Sequence, residues 1–252
     1  MSISKSSREW YEYFQINARA IRIDWTLSPT ITSLEKQEIL PSLQAWQLGE
    51  TSDGANLIHA STKYAQKTKD LFYPNAVSLF IKEEQKHGDN LGKYLDLIGE
   101  KRITKDWGDS LFRKIRYFNT NMEIWTLAVI TVESIAQVFY QALKKATHCT
   151  LLQSICTDIL IDEAAHIIFQ RERLETIFLT KNSVLQYPTY LFYKLFFFST
   201  TEVVWFAHKR AFIAGGIDKK KYRKILKVKF RKTLGRIYTA SKTSDHYYPS
   251  LS

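Results

Sequence analysis

The sequence predicts an all-α protein built on a four-helix bundle. Apolar residues recur with the helical period over four long stretches, and alternation of the strand type is sustained nowhere. Gly (9) and Pro (5) are scarce in 252 residues, which excludes a turn-rich sandwich or barrel. Two of the four apolar stripes are interrupted by the same polar pattern. Glu83-Glu84-Gln85-Lys86-His87 and Asp162-Glu163-Ala164-Ala165-His166 each contain Glu-x-x-His.

The elements follow in order. Residues 1–33 are an N-terminal segment with a short amphipathic piece, Trp10, Tyr11, Phe14 and Ile16. A helix starts at Ser33, its expected cap, and Pro41 either kinks it or begins a new one. Residues 42–68 carry the first long helical pattern, through Leu43, Trp46, Glu50, Leu57, Ser61 and Tyr64. Pro74 opens the second, whose inward stripe is Val77, Phe80, Ile81, Glu84, His87, Leu91, Tyr94 and Leu95, ending near Gly99. Residues 100–120 are polar and expected to include a shorter helix. The third long helix spans about 119–146, with Thr126, Ile130, Glu133, Ala136, Gln137 and Tyr140 on one face. The fourth spans about 150–178, with Leu152, Ile155, Ile159, Glu163, His166 and Phe169.

Residues 187–213 are strongly aromatic and close to membrane-span length. Lys194 and Glu202 lie within them, and each central charge disfavours insertion by about 2.5–3.5 kcal/mol. A helix buried against the bundle is the expectation. Gly215-Gly216 ends it, a basic helix covers 219–236, and the tail from Thr239 reads as loose. The whole is expected to be a single domain over 1–252, with a bundle core at about 40–178 and a C-terminal helical extension at about 185–238.

The formal charge of +11 points to an acidic partner. An acidic carrier protein and an anionic membrane surface both fit the basic helix, as does a plain solvated face. Nucleic acid fits less well, because no recognition motif accompanies the charge. Cys149 and Cys156 are the only cysteines. On one helix they stand about 10 Å apart, too far for a disulfide. Reduced thiols and a start without a signal-peptide core suggest a cytoplasmic protein. A homodimer is compatible with the sequence.

Positions i and i+3 share a helix face, so each Glu-x-x-His converges on one point. Two such helices, with one inward Glu from each of two others, make the ligand set of a dinuclear carboxylate site. The candidates are Glu50, Glu84, His87, Glu133, Glu163 and His166. Thirty-four positions separate Glu50 from Glu84 and thirty separate Glu133 from Glu163, so each half repeats one scheme. Glu84 and Glu163 are placed to bridge two metals, His87 and His166 to bind one each, and Glu50 and Glu133 to be terminal ligands. Mixed N and O donors suit Fe or Mn. Buried carboxylates need a partner charge or a metal, which separates this pattern from solvated Glu and His. Asp53 lies on nearly the same face as Glu50. Asp162 is either solvated or accepts a hydrogen bond from the distal nitrogen of His87, fixing its tautomer. Glu83 is either a ligand or, facing outward, a supporting group. Tyr94 and Tyr140 are core tyrosines or redox-active ones. His59, His148, His208 and His246 have no comparable company.

On these residues the chain resembles the ferritin-like di-iron carboxylate superfamily. The segment Glu83 to Leu95, with Glu-Glu-x-x-His-Gly-Asp and then Lys-Tyr-Leu, is similar to the second bundle helix of soluble acyl-carrier-protein desaturases. Asp162-Glu163-Ala164-Ala165-His166 resembles their Asp-Glu-x-x-His. Gln47-Leu48-Gly49-Glu50-Thr51-Ser52-Asp53-Gly54 is similar to a phrase in uncharacterised bacterial ferritin-like proteins. The likeness covers about 40–178. It implies a ferritin-like bundle with additional C-terminal helices and two Fe ions, or Mn/Fe, that activate O₂ with electrons from an external donor. An apolar substrate, carrier-bound acyl chains included, is the expectation. The alternatives are iron oxidation or storage without an organic substrate, and a scaffold with structural metal. The chain is shorter than the desaturases, lacks the Cys-x-x-Cys domain of rubrerythrins, and has Ile159 where arylamine oxygenases carry an extra His.

Overall fold

The computed structural model describes residues 4–108 and 121–245. All regular structure among them is helical. The elements are α1 (Ser7–Asn17), α2 (Ser33–Glu50), α3 (Ala55–Thr68), α4 (Tyr73–Leu97), α5 (Met122–Lys145), α6 (Thr150–Leu179), α7 (Ser183–Ala214), α8 (Lys219–Lys232) and α9 (Leu234–Asp245). Helices α2, α4, α5 and α6 form the bundle. α1 packs along α4, and α7 lies across α5 and α2.

Local signals set the ends. Thr32, not Ser33, caps α2, and a reciprocal box with Glu35 satisfies its first free N–H groups. Pro41 sits inside α2, which runs on as one helix. Asn121 caps α5 and Asp218 caps α8. Past the end of α4, Gly99 takes the left-handed conformation at φ +70°.

The pattern read over 42–68 is two helices. The break follows Glu50, and Gly54 supplies φ +67° ahead of α3. Asp53 is exposed there and accepts from the Ala55 N–H, so it leaves Glu50 alone on the inward face. The basic stretch 219–236 also divides, at Thr233, with φ −106° and ψ −93°. The segment after Thr239 is helical to Asp245 rather than loose. In α1, Trp10 and Phe14 are buried, but Ile16 faces solvent. The shorter helix expected within 100–120 falls largely outside the described residues, and His246 lies outside them too.

Two apolar clusters fill the interior. One gathers Trp10, Phe14, Tyr73, Phe80 and Phe169. The other runs through Ile130, Phe139, Tyr140, Ile155 and Ile159 to the C-terminal helices. A buried polar belt between them contains Glu50, His87, Glu133, Glu163 and His166. Close approach of α2 to α4 at Gly88 brings Glu50 into that belt. A Cβ on Gly88 would lie 2.8 Å from Thr51 Cγ2 and 3.2 Å from the Glu50 carbonyl carbon. Gly88→Ala is therefore expected to destabilise by about 1–3 kcal/mol and to lower Tm by about 3–10 °C. Thermal unfolding by circular dichroism measures it.

Candidate metal centre

The helical period and the packing angles bring all six candidate side chains together. Potential ligand atoms of Glu84, Glu133, Glu163 and His166 lie within 4.8 Å of one another, and so do those of Glu50, His87 and Glu163. Glu163 belongs to both groups and sits between them.

The two imidazoles are oriented alike. Each turns Nδ1 toward the carboxylates and Nε2 away. His166 Nδ1 is 2.9 Å from Glu84 Oε1 and 3.9 Å from Glu133 Oε2, and His87 Nδ1 is 3.8 Å from Glu84 Oε1. Behind the rings, His87 Nε2 lies 3.1 Å from Asp162 Oδ2, and His166 Nε2 lies 2.9 Å from Glu83 Oε2. A carboxylate only accepts, so each Nε2–H donates, and in the neutral ring each Nδ1 presents a lone pair inward. The supports are reciprocal: the acid just before the inward Glu of one helix holds the His of the other.

This outer layer is itself clamped. Lys86 Nζ donates to Asp162 Oδ2 at 2.6 Å and lies 3.2 Å from Asp158 Oδ2. Arg22, on the segment after α1, donates to Asp158 Oδ1 at 2.6 Å and to Asp162 Oδ1 at 2.8 Å. Asn17 donates to both Glu83 Oε1 and Asp162 Oδ1, at 2.7 and 2.8 Å, and accepts from Arg22. Burial of Asp162 would raise its pKa, but donation from His87, Lys86 and Asn17 holds the carboxyl well below the ordinary range.

The inner layer behaves differently. Nδ1 of His87, Nδ1 of His166, Oε1 of Glu84 and both oxygens of Glu163 are buried with no hydrogen-bond partner among the described residues. His166 and Glu84 are within contact distance but not aligned as donor and acceptor. Burial, with neighbouring carboxylates, pushes Glu50 and Glu163 well above the usual carboxyl range. Tyr140 opposes this at Glu50, donating to its Oε1 at 2.7 Å. Burial disfavours a charged His166, yet Glu133, Glu83 and Glu84 raise it well above 6.5. Such groups are costly to bury without a counter-charge. Once those protons are displaced, four carboxylates and two neutral imidazoles match the charge of two divalent cations, and the donor set fits a pair of first-row metal ions.

A cavity of about 180 Å³ opens on the carboxylate side. Glu50, Glu84, Glu133 and Glu163 form its floor, and Trp46, Phe80, Ile81, Trp125, Val132 and Val204 belong to its apolar walls. His208 also lines it, its Nδ1 3.1 Å from Ser42 Oγ, and burial lowers its pKa to about 4.

No family model matches the sequence, and no curated protein matches it. Solved structures do match in shape. A variant of an R2-like ligand-binding oxidase with an aerobically reconstituted Mn/Fe cofactor superposes with a TM-score of 0.59 at 17% identity, covering 96% of this chain and 94% of that one. Another variant, with an anaerobically reconstituted Mn/Fe cofactor, gives 0.60 at 15% identity over the same shares. The fold is the ferritin-like helical bundle. It places Glu-x-x-His on two facing helices and a lone Glu on each of the other two, as the spacing predicts.

Other sequence candidates go elsewhere. Tyr94 is buried away from the centre, its hydroxyl 3.5 Å from Cys149 Sγ. Cys149 and Cys156 are free and buried. His148 is exposed beside Glu35, and His59 faces solvent. Glu83 is no inward ligand; the signal for its role was its place in the first motif, which matches that of Asp162 in the second. Asn17 and Arg22 gave no signal, since their partners are 66 to 145 positions away.

Proposed function

We propose that this protein is a dimetal-dependent, O₂-activating oxidoreductase acting on an apolar substrate. The observation that carries the reading is the set of buried, unpartnered donor atoms facing the floor of an apolar cavity. Glu50, Glu84, Glu133, Glu163, His87 and His166 would hold two Fe ions, or one Mn and one Fe, as in the Mn/Fe cofactor of the oxidases similar in shape. When bound, such a pair supplies the electrons that reduce O₂, to be replenished by an external donor.

The protein's own groups act around that chemistry. Asp162 and Glu83 fix the tautomers of His87 and His166. The Tyr140 hydroxyl holds Glu50 at the cavity edge. Apolar walls exclude bulk water and bind an apolar chain, with acyl groups the favoured class. The same walls favour an organic substrate over iron storage.

Anaerobic loading with Fe(II) alone, and with Fe(II) plus Mn(II), followed by O₂, tests the reading. The expected result is uptake of about two ions per chain and O₂ consumption that stops after one turnover without a reductant. Continuous iron oxidation with growth of ferric cores would favour storage instead. Metal uptake without any O₂ consumption would favour a structural site.

A further inference from the structure

We propose that the outer face of α7, together with α8, is a docking surface for an anionic lipid membrane, on which the protein lies peripherally. The inference is independent of the metal reading. Residues 187–213 were expected to be buried, and only one face of α7 is. Tyr193, Phe197, Thr201 and Val204 turn inward. Val184, Leu191, Phe192, Leu195 and Phe206 face solvent, at 77%, 43%, 45%, 68% and 71% exposure. Val184, Leu191, Leu195 and Phe206 fall seven, four and eleven positions apart, so they form one stripe, roughly 33 Å long by helical rise. Glu202 and Lys194 keep it unlike a membrane span. The helix that does pass the length and hydropathy test among the described residues, α5, is a core helix.

Charge beside the stripe says what covers it. α8 carries Lys and Arg at nine of fourteen positions and no acidic residue. Tyr222, Leu226 and Phe230 dock it on the bundle. Lys220, Lys224, Lys227 and Arg231, spaced by four, three and four, point the opposite way, exposed and without an ion-pair partner among the described residues. Glu202 lies on the stripe between Leu195 and Phe206. It accepts from Arg223 at 2.7 and 2.8 Å and lies 3.3 Å from Lys219, which ties α8 to the striped face of α7. The charge of an acidic protein accounts for the cations but not for so long an apolar stripe. An anionic bilayer takes both: apolar side chains at the acyl boundary and lysines among the headgroups.

Co-sedimentation of the full-length protein with vesicles tests this. Vesicles of equal parts phosphatidylglycerol and phosphatidylcholine are expected to bind at least about tenfold more tightly than pure phosphatidylcholine, with binding weakened by salt. The combined variant Lys220→Gln, Lys224→Gln, Lys227→Gln and Arg231→Gln should lose roughly 10²- to 10³-fold in partitioning. Leu195→Gln with Phe206→Gln should lose about tenfold or more. Circular dichroism and metal content, unchanged in both variants, separate loss of docking from loss of fold. Equal binding to both vesicles, or none at low salt, overturns the proposal. So does a dimer that Leu195→Gln and Phe206→Gln dissociate, since a second copy then covers the stripe. Salt-sensitive capture of acidic carrier protein without vesicle binding overturns it as well.

Discussion

Glu163→Ala is expected to abolish metal retention while leaving the helices intact. Glu163 faces both halves of the centre, and neither of its oxygens has a hydrogen-bond partner among the described residues. Loss of such a ligand should weaken metal binding by at least about 10²-fold, beyond what supporting groups contribute. The protein without metal should not suffer in proportion. Its buried carboxyl is already pushed up by burial and by Glu133, so removing it removes a cost along with a ligand. Elemental analysis beside far-UV circular dichroism reads both effects. The raised carboxyls of Glu50 and Glu163 also set a pH dependence. A raised acid keeps its proton to a higher pH than an ordinary carboxyl, so protons and cations compete for the same oxygens. Apparent metal affinity should therefore fall as pH falls, and loading in weak buffer should release acid.

Asp162→Asn is expected to cost metal affinity about 10–100-fold without touching an inward ligand. The amide keeps an acceptor for the His87 Nε2–H but loses the charge that Lys86 and Arg22 pair with. Asp158 stays beside both cations, so the stability loss should reach only up to about 3 kcal/mol, below that of a fully orphaned buried charge. Metal titration and urea unfolding separate the two losses. Glu83→Gln should weaken binding at His166 in the same way. Arg22→Ala, remote in sequence from every ligand, should reproduce part of the Asp162→Asn effect, because it clamps the same carboxylate.

The bundle was legible because apolar residues at helical spacing report one face directly. The inward acids stood out because they interrupt that face at Glu50, Glu84, Glu133 and Glu163. What stayed hidden depends on distant partners or on backbone geometry. The break between α2 and α3 rests on Gly54 at positive φ, while the flanking pattern reads through it. Glu83 shares its motif position with Asp162, but that it serves His166 shows only when α6 is placed against α4. Asn17 and Arg22 reach the centre only after α1 folds back along α4. The exposed stripe on α7 escaped because the helix is apolar on both faces, and only packing reveals which face the bundle covers.

The central claim is that six side chains from four helices close around a pair of metal ions. X-ray diffraction from crystals of metal-loaded protein, with anomalous data on both sides of the iron and manganese edges, tests it most directly. The account predicts two anomalous peaks, one beside Nδ1 of His87 with Glu50 and one beside Nδ1 of His166 with Glu133, with Glu84 and Glu163 between them. A single peak, peaks on the surface acids, or imidazoles turned so that Nε2 faces inward would contradict it.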